Sequence, residues 1–542
     1  MVENRLAGSD KPGGLIFPVA ADAHSVSNKI VFLAKAGTGP GIARAAADKI
    51  RDGWHDELAE TFKTSQPPAT PGMPDLSWVS VTGTVADGGY PALWQVAQRE
   101  LVGRRRARVF EPLNESQRKL CAQSPGLPAV TAPPGRPAHE RGEALSAAGW
   151  AKRRAASARF PSTVSIALSA FRRRLLERAG VDPELAAELR GPVKTLDTAV
   201  EGLKLYTDRA ELRSVPCPAE LEPLASRLGA WVTPERWDAA GIEHEYGTRP
   251  DEQLMRDGRT AAGALAVIAR KAGIPAPSPY YAIVVQDLGQ LGAALGRLDL
   301  GQQREVSRQL STLAAGQSRL LEEQHPLAVL VYAGGDDLLA FCPAAEALRL
   351  AESIRQQVRT AVATGPLAHA GPDGDPITAS TGVVFAHMSN PLQDAVPSAQ
   401  QATKEAKSMT RASGRSRNAI AVRVRTRGGL RAMTVQPWWP PRTEDGASAT
   451  ELLTRIRPGP GTDVLSAGLG SELERDQEAL RELADPALLR AELTRRVERH
   501  GGTPQAGRAL WTLGLSERGV RGAGIAPVPA ALVAGFLSRE AR

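Results

Sequence analysis

The pattern of apolar and polar positions between residues 279 and 424 predicts alternating strands and helices. Five apolar runs have the length of strands, at 280–286, 327–332, 338–342, 377–387 and 418–424. Amphipathic stretches of helical period separate them, at 291–323, at 344–364 and in a segment ending near residue 409. This order is that of a split β-α-β arrangement, extended by one helix and one strand. We therefore predict an α+β fold built around a ferredoxin-like palm.

The second and third runs are joined by the segment Gly-Gly-Asp-Asp at residues 334–337. A glycine pair between two strand-length runs predicts a tight hairpin turn. The turn carries Asp336 and Asp337 side by side, and two adjacent carboxylates repel each other unless a metal ion or another cation lies close. The segment could also be an ordinary structural turn.

Asp287 ends the first predicted strand. In a split β-α-β unit the first and second strands run parallel, so the end of the first strand lies at the same sheet edge as the hairpin. We therefore predict that Asp287, Asp336 and Asp337 converge there as catalytic residues and ligands of Mg²⁺ or Mn²⁺. Gly334 and Gly335 would let the triphosphate of a nucleotide approach the backbone closely.

The chain of 542 residues is long enough for three or four domains, each with its own core. The first would be an incomplete palm-like domain with strands at 15–19, 29–34 and 78–84 and a helix at 43–62. We predict four domains in all: this one at 1–155, a helical domain at 156–275, the Gly-Gly-Asp-Asp palm at 276–430 and a C-terminal helical domain at 431–542.

The net charge of +8 favours contact with an anion such as RNA, and the low aromatic content of 4% favours phosphate contact over base stacking. Basic clusters begin at Arg104, Lys152 and Arg172. We predict RNA or phosphate contacts by Arg104, Arg105, Lys152 and Arg153. The alternative is that these clusters are solvated surface, as most runs of charge are.

No apolar run reaches the length of about 18 residues that a membrane span needs, so we expect no membrane association. The chain has only three cysteines, Cys121, Cys217 and Cys342, and no Cys-x-x-Cys pair. We therefore expect no zinc site, and unpaired cysteines fit a reducing cytoplasm.

An ordered set of segments carries a resemblance to a known family: residues 15–18, 27–29, 142–145, 151–153, 160–163, 280–287, 334–337, 380–384 with His387, 391–392 and 406–407. Taken together they resemble the large subunit of type III CRISPR effector complexes, the Cas-ten family, and most closely its III-B branch. The resemblance implies a guide RNA (crRNA), a target RNA and other type III effector subunits as partners. It also implies synthesis of cyclic oligoadenylate from ATP once target RNA is bound.

The resemblance also suggests roles for further residues. Lys407 matches a cation with which related cyclases hold the triphosphate, and Arg415 and Arg417 follow it. Ser380, in the segment Ser-Thr-Gly-Val-Val, is assigned to the same nucleotide site. Lys152 and Arg153 match a Lys-Arg pair of the family.

The chain departs from the family pattern in three places. The first palm strand usually carries two acids, but Gly289 stands in place of the second. The cysteine pairs that often bind zinc are missing. We also expect this chain to lack the N-terminal nuclease domain with His-Asp metal ligands and the opening elements of the first palm. Its one His-Asp pair, His55-Asp56, falls in a predicted helix.

The function that these observations favour is metal-dependent nucleotidyl transfer, with one ATP offering its 3′-hydroxyl and another its α-phosphate. Two alternatives stay open. One is a catalytically silent scaffold that organises guide RNA and other subunits. Gly289 and the expected lack of the opening elements of the first palm favour this alternative. The other is a palm enzyme with a different nucleotide product, such as AMP joined to S-adenosylmethionine.

Overall fold

The structure is a computed structural model. It describes residues 14–19, 29–85, 89–107, 119–136, 138–156, 160–205, 212, 215–371, 374–409, 417–440, 443, 445–456, 466, 468–483, 485–521 and 527–541. The strands are β1 (Leu15–Phe17), β2 (Val31–Phe32), β3 (Tyr280–Leu288), β4 (Val329–Ala333), β5 (Asp337–Pro343), β6 (Ala379–His387), β7 (Ala419–Thr426) and β8 (Gly429–Pro437).

Helices precede, cross and follow the sheet. In chain order they are α1 (Gly39–Phe62), α2 (Gly89–Arg106), α3 (Ala138–Arg141), α4 (Ala147–Ala156), α5 (Thr163–Val181), α6 (Pro183–Gly202), α7 (Glu222–Ser226), α8 (Ala239–Tyr246), α9 (Glu252–Lys271), α10 (Leu291–Leu295), α11 (Leu300–Gln324), α12 (Ala347–Ala361), α13 (Leu392–Ser408), α14 (Ala449–Arg455), α15 (Gly468–Arg475), α16 (Gln477–Glu482), α17 (Pro486–Arg499), α18 (Pro504–Arg521) and α19 (Pro527–Glu540).

Six strands form one sheet in the order β4-β5-β3-β6-β7-β8. The β4–β5 hairpin lies on one side of β3 and β6 on the other, and only the β6–β7 pair is parallel. Because α11 carries the chain back before β4, β3 and β4 run parallel with β5 inserted between them, as a split β-α-β unit requires. The α+β palm fold predicted from the sequence is confirmed.

Alternate residues of β3 pack into different layers, as the period of a strand dictates. Ala282 and Val284 lie in the core with Ile354 of α12, whereas Tyr281 and Ile283 lie in the core with Ala399 of α13. All four residues of β3 are fully buried. Helices therefore cover both faces of the strand that carries Asp287.

The predicted helix at 291–323 is two helices, α10 and α11, with a break between them. Gly296 ends the first, and Asp299 begins the second through a capping box with Gln302. The capping box satisfies backbone N–H groups at a new helix start, which explains why the helical pattern does not continue unbroken.

Before the palm, β1 and β2 pair in a short antiparallel sheet, and the predicted helix at 43–62 is α1. The predicted strand at 78–84 is wrong, because these residues have no regular secondary structure. Residues 160–275 are mainly helical, as expected, and share one core around Leu175, Leu189 and Leu265. The domain boundaries stay predictions.

The chain after β7 adds a strand that the sequence did not indicate. β8 extends the sheet antiparallel to β7. Helix α19 then packs on the sheet: the ring of Phe536 lies 4.8 Å from that of Tyr280 and 5.1 Å from that of Phe385. In the described part of the chain no helix is long and apolar enough to cross a membrane.

Candidate active site at the palm hairpin

The Gly-Gly-Asp-Asp segment forms the turn between β4 and β5, as predicted. The backbone N–H of Gly334 donates to the carbonyl oxygen of Asp337 at 2.9 Å, which closes the turn. The N–H of Leu288 donates to the carbonyl oxygen of Asp336 at 2.8 Å. These two bonds tie the turn to the end of β3, so the hairpin and the strand that carries Asp287 hold one relative position.

The sheet register brings three site residues onto one row. Asp287 lies directly opposite Asp337 of β5 and directly opposite Ser380 of β6. Residues directly opposite each other in antiparallel strands project to the same face of the sheet. The register thus brings Asp287 beside the hairpin, although the two are far apart along the chain, and the roles of these residues stay predictions.

Lys407 also lies at this edge. Its Nζ atom is 2.5 Å from Oδ1 of Asp287, and both side chains are about one third exposed or less. Lys407 stands near the end of α13, so the helix that covers this face of β3 delivers the cation to the carboxylates. Arg415, which follows it in sequence, lies outside the described residues.

The two carboxylates of the turn have raised pKa values. Burial, followed by the charges of Asp336 and Asp287, raises the pKa of Asp337 to about 6. Burial, together with the charge of Asp287, also raises the pKa of Asp336. The pKa of Tyr332 rises to about 12 through burial and the two neighbouring aspartates. A bound cation would offset the repulsion that produces these shifts.

The donor set fits a hard divalent cation in chemistry, because Asp287, Asp336 and Asp337 offer carboxylate oxygens. Oδ1 of Asp337 is also buried and has no hydrogen-bond partner among the described residues. These carboxylates do not form a complete set of metal ligands. Among the described residues no group of three acidic, histidine or cysteine side chains is placed to hold a metal ion. Asp287 pairs with Lys407 instead, so a metal ion would have to compete with that lysine.

The two glycines have a packing reason that is independent of any nucleotide. Gly335 has a φ of +87°, and a Cβ atom there would lie 2.4 Å from the backbone oxygen of Leu310 in α11. A Cβ atom on Gly334 would lie 2.2 Å from the hydroxyl of Tyr332. The turn therefore needs glycine at position 335, whereas at position 334 the tyrosine side chain would have to shift. Contact of either glycine with a triphosphate stays a prediction.

Gly289 begins the segment that leaves β3. Its N–H donates to the carbonyl oxygen of Thr378 at 2.7 Å. A Cβ atom on Gly289 would lie 2.8 Å from Cδ of Arg417 and 3.3 Å from that carbonyl oxygen. A side chain at this position would therefore meet Arg417.

Lys29 is a neighbour of the turn that the sequence analysis did not select. Burial and the charge of Arg105 lower the pKa of Lys29, and the charge of Asp336 opposes them. Its Nζ atom donates to Gln98 at 2.5 Å and lies 4.9 Å from the ring centroid of Trp94. The signal was its place in the family-like segment 27–29, of which residues 27 and 28 lie outside the described residues.

The other predicted cations do not meet at the turn as one group. Arg153 pairs with Glu143 at 2.5 Å, Arg104 lies over the ring of Trp78 at 5.9 Å, and Lys152 is exposed on α4. In the third basic cluster Arg172 is fully buried and donates to the carbonyl oxygen of Leu224, so its guanidinium belongs to the protein core. RNA contacts by Arg104, Arg105, Lys152 and Arg153 remain predictions.

Comparison with known proteins agrees with the palm. Residues 280–421 match the family model described as Cas10/Cmr2, second palm domain. This part of the chain is therefore similar to the second palm domain of the Cas10/Cmr2 proteins. The matched segment runs from the start of β3 into β7 and so contains Asp287, the Gly-Gly-Asp-Asp turn and Lys407. A search of curated proteins found no match.

Several solved structures are similar to parts of the chain. A type III-B Cmr-beta complex bound to cognate target RNA contains a chain with 13% identity and a TM-score of 0.47, covering 78% of this chain and 58% of that one. A Csm1–Csm4 cassette in complex with cA4 matches with 20% identity and a TM-score of 0.27, covering 45% and 37%. The GGDEF domain of DgcB from Caulobacter crescentus matches with 16% identity and a TM-score of 0.20, covering 29% and 82%. The chain thus spans 58% of the length of the Cmr-beta chain.

Proposed function

We propose that the chain is the large subunit of a type III CRISPR effector complex and a metal-dependent nucleotidyltransferase that makes cyclic oligoadenylate from ATP. The observation that carries the proposal is the alignment of Asp287 with Asp337 across β3 and β5, beside Asp336 and Lys407. Guide RNA, target RNA and the other effector subunits are the partners that the family implies.

In this proposal Asp287, Asp336 and Asp337 hold Mg²⁺ or Mn²⁺, which would lower the pKa of a ribose 3′-hydroxyl and neutralise charge on the departing pyrophosphate. A cation beside Asp337 would favour its charged carboxylate, whose pKa is raised by burial and by the neighbouring aspartates. Lys407, once released from Asp287, supplies a positive charge for the triphosphate. The buried hydroxyl of Ser380 lies on the strand directly opposite Asp287 and makes no hydrogen bond to a described residue, so it is available to a bound nucleotide.

A second candidate is a catalytically silent scaffold, and two observations favour it. Asp287 is already neutralised by Lys407, and Gly289 leaves the site with no fourth acid. A silent site of this kind would organise RNA and partner subunits without binding ATP and metal productively.

The test is a reconstituted complex with guide RNA, Mg²⁺ or Mn²⁺ and labelled ATP, with and without complementary target RNA. Mass spectrometry of the products should show oligoadenylates only with target RNA. S-adenosylmethionine added as an alternative acceptor separates the oligoadenylate from a different AMP-containing product. A complex that binds its target but forms no nucleotide product would support the scaffold.

The matched pair of variants is D336N/D337N against E323A. Glu323 is an exposed acid near the end of α11 in the same domain. We expect D336N/D337N to abolish product while guide and target RNA still bind, and E323A to leave synthesis unchanged. Synthesis that persists in D336N/D337N would overturn the assignment of the metal ligands.

A further inference from the structure

A cavity of about 430 Å³ lies next to the end of β3, in a place that the proposed reaction does not use. Val358 and Val362 of α12 line it, together with Ile377 before β6. These residues share a core with α10 and α11. The cavity thus lies on the α11–α12 face of the sheet, whereas Lys407 belongs to α13 on the other face.

The lining of this cavity carries an excess of positive charge. Arg355 and Arg359 come from α12, and Arg417 comes from the residues before β7. Asp375 is the one acidic residue among the described lining residues. Three guanidinium groups therefore line one small cavity, together with apolar side chains. Their combined positive charge favours the binding of an anion.

Arg355 is the unusual member of this group. It is only 4% exposed, and its Nε and Nη2 atoms are shielded from solvent without a hydrogen-bond partner among the described residues. Its nearest carboxylate is that of Glu352, where Nε and Oε1 are 3.6 Å apart. Buried arginines normally have their N–H groups paired, so a guanidinium whose one ion pair is this long can accept a second anion.

Trp439 holds this arginine in place. The guanidinium carbon of Arg355 lies 3.8 Å from the ring centroid of Trp439, and that of Arg359 lies 5.9 Å from it. Stacking on an indole ring stabilises the charge without occupying the N–H groups in the guanidinium plane. The ring also gives the cavity an aromatic surface.

Gly289 contributes to the opening of the cavity. It lines the space together with Gln290, and a side chain there would meet Arg417. Because Gly289 has no side chain, the guanidinium of Arg417 has no carboxylate from this position to neutralise it. The missing second acid of the palm strand therefore coincides with a positively charged pocket.

We propose that this cavity binds the phosphate groups of a nucleotide, with Arg355, Arg359 and Arg417 as the cationic residues. The volume lies within the range of small-molecule sites, and apolar walls with a few convergent charges are the usual composition of such sites. Guanidinium groups suit phosphate because their N–H groups match two of its oxygens at once. The proposal does not depend on catalysis at the hairpin.

The test measures binding to the full chain carrying D336N/D337N, in EDTA, so that neither metal nor the hairpin carboxylates take part. The probes for calorimetry are ATP, ADP, pyrophosphate and adenosine. We expect ATP and ADP to bind and adenosine to bind at least about tenfold more weakly. Pyrophosphate that binds as tightly as ATP would assign the site to free phosphate compounds rather than nucleotides and would overturn the nucleotide part.

The variants for this test are R359A and R417A, both at the cavity, with R319A as the matched control. Arg319 is an exposed arginine of α11. R359A and R417A should each weaken ATP binding by about tenfold or more, as loss of a charge-assisted contact predicts, whereas R319A should not change it. R355K keeps the charge but loses the planar fork and should also weaken binding.

Thermal unfolding of each variant shows whether a loss of binding reflects a loss of fold. ATP binding that is equal in wild type, R359A and R417A would overturn the proposal. So would the absence of any phosphate binding in EDTA by a folded chain. Neither outcome affects oligoadenylate synthesis by the complex, so failure here is distinct from failure of the proposed function.

Discussion

The Nζ atom of Lys407 lies 2.5 Å from Oδ1 of Asp287, so the proposed phosphate-binding cation and the proposed metal ligand neutralise each other. Binding of a metal ion and a triphosphate would exchange this pair for two new ones. K407M should therefore raise the KM for ATP by about tenfold or more, the loss expected for a charge-assisted contact. Steady-state kinetics of the reconstituted complex measures this.

The control for that change is K404M, because Lys404 is an exposed lysine on the same helix, α13. K404M should leave the KM unchanged. Without ATP, K407M should bind Mg²⁺ at least as tightly as wild type, since Asp287 loses its competing lysine. An unchanged KM for ATP in K407M would show that Lys407 serves only as a counter-ion.

The raised pKa of Asp337 predicts how stability depends on pH. Its folded-state pKa of about 6 lies above the ordinary aspartate value, so the folded state binds this proton more tightly than the unfolded state. Its contribution to stability is therefore present below about pH 4 and is lost as the pH rises through about 6. Without metal, D337N should have a higher melting temperature than wild type at pH 7.5, with the difference fading at pH 4.

Addition of a metal ion is an independent test of the same carboxylates. Because a cation offsets the repulsion between Asp336 and Asp337, Mg²⁺ or Mn²⁺ should raise the melting temperature of wild type at pH 7.5. The double variant D336N/D337N should show no such rise. If both proteins respond equally to the metal ion, it binds elsewhere.

The position of Gly289 predicts the effect of restoring the family's second acid. A side chain there would lie against Arg417, so the carboxylate of G289D should pair with that guanidinium rather than join the hairpin carboxylates. We expect G289D to leave the Mg²⁺ concentration for half-maximal activity unchanged. A large fall in that concentration would mean that the new acid reaches the metal site.

Gly335 should be among the least replaceable residues of the turn. G335A would place a Cβ atom 2.4 Å from the oxygen of Leu310, on a backbone with a φ of +87°. We expect the free energy of unfolding to fall by about 1–3 kcal/mol. The control is G273A, where φ is +71° but no heavy atom lies within 4 Å, so only the backbone cost applies. Urea unfolding of both variants gives the comparison.

The palm could be predicted from the sequence because its strands are short apolar runs. Strands β4 and β5 are joined by a tight turn, and a single helix connects β6 to its parallel neighbour β7. The convergence of Asp287 with the hairpin followed from topology alone. The break at Gly296 was missed because the apolar period continues across it. Strand β8 was missed because residues 431–542 were predicted to be a helical domain, whereas pairing with β7 decides the structure of Gly429–Pro437.

Side-chain partners were the part that sequence could not supply. Nothing in the order of residues shows that Lys407 reaches Asp287, since the pairing depends on how far along the sheet α13 ends. The cavity arginines come from separate segments, and only Arg417 had been considered. Arg172 shows the opposite failure, because a run of arginines indicates solvent exposure until packing buries one of them.

The central place of β3 between β5 and β6 has a consequence for preorganisation. A strand bonded on both sides opens only when much of the domain unfolds, so its amides should be among the slowest in the protein to exchange with deuterium. Asp287 sits at the end of this strand, and the Leu288 N–H anchors the turn to it. Ligand binding at this edge would therefore require little ordering of the backbone, and its entropic cost would fall mainly on side chains such as Lys407.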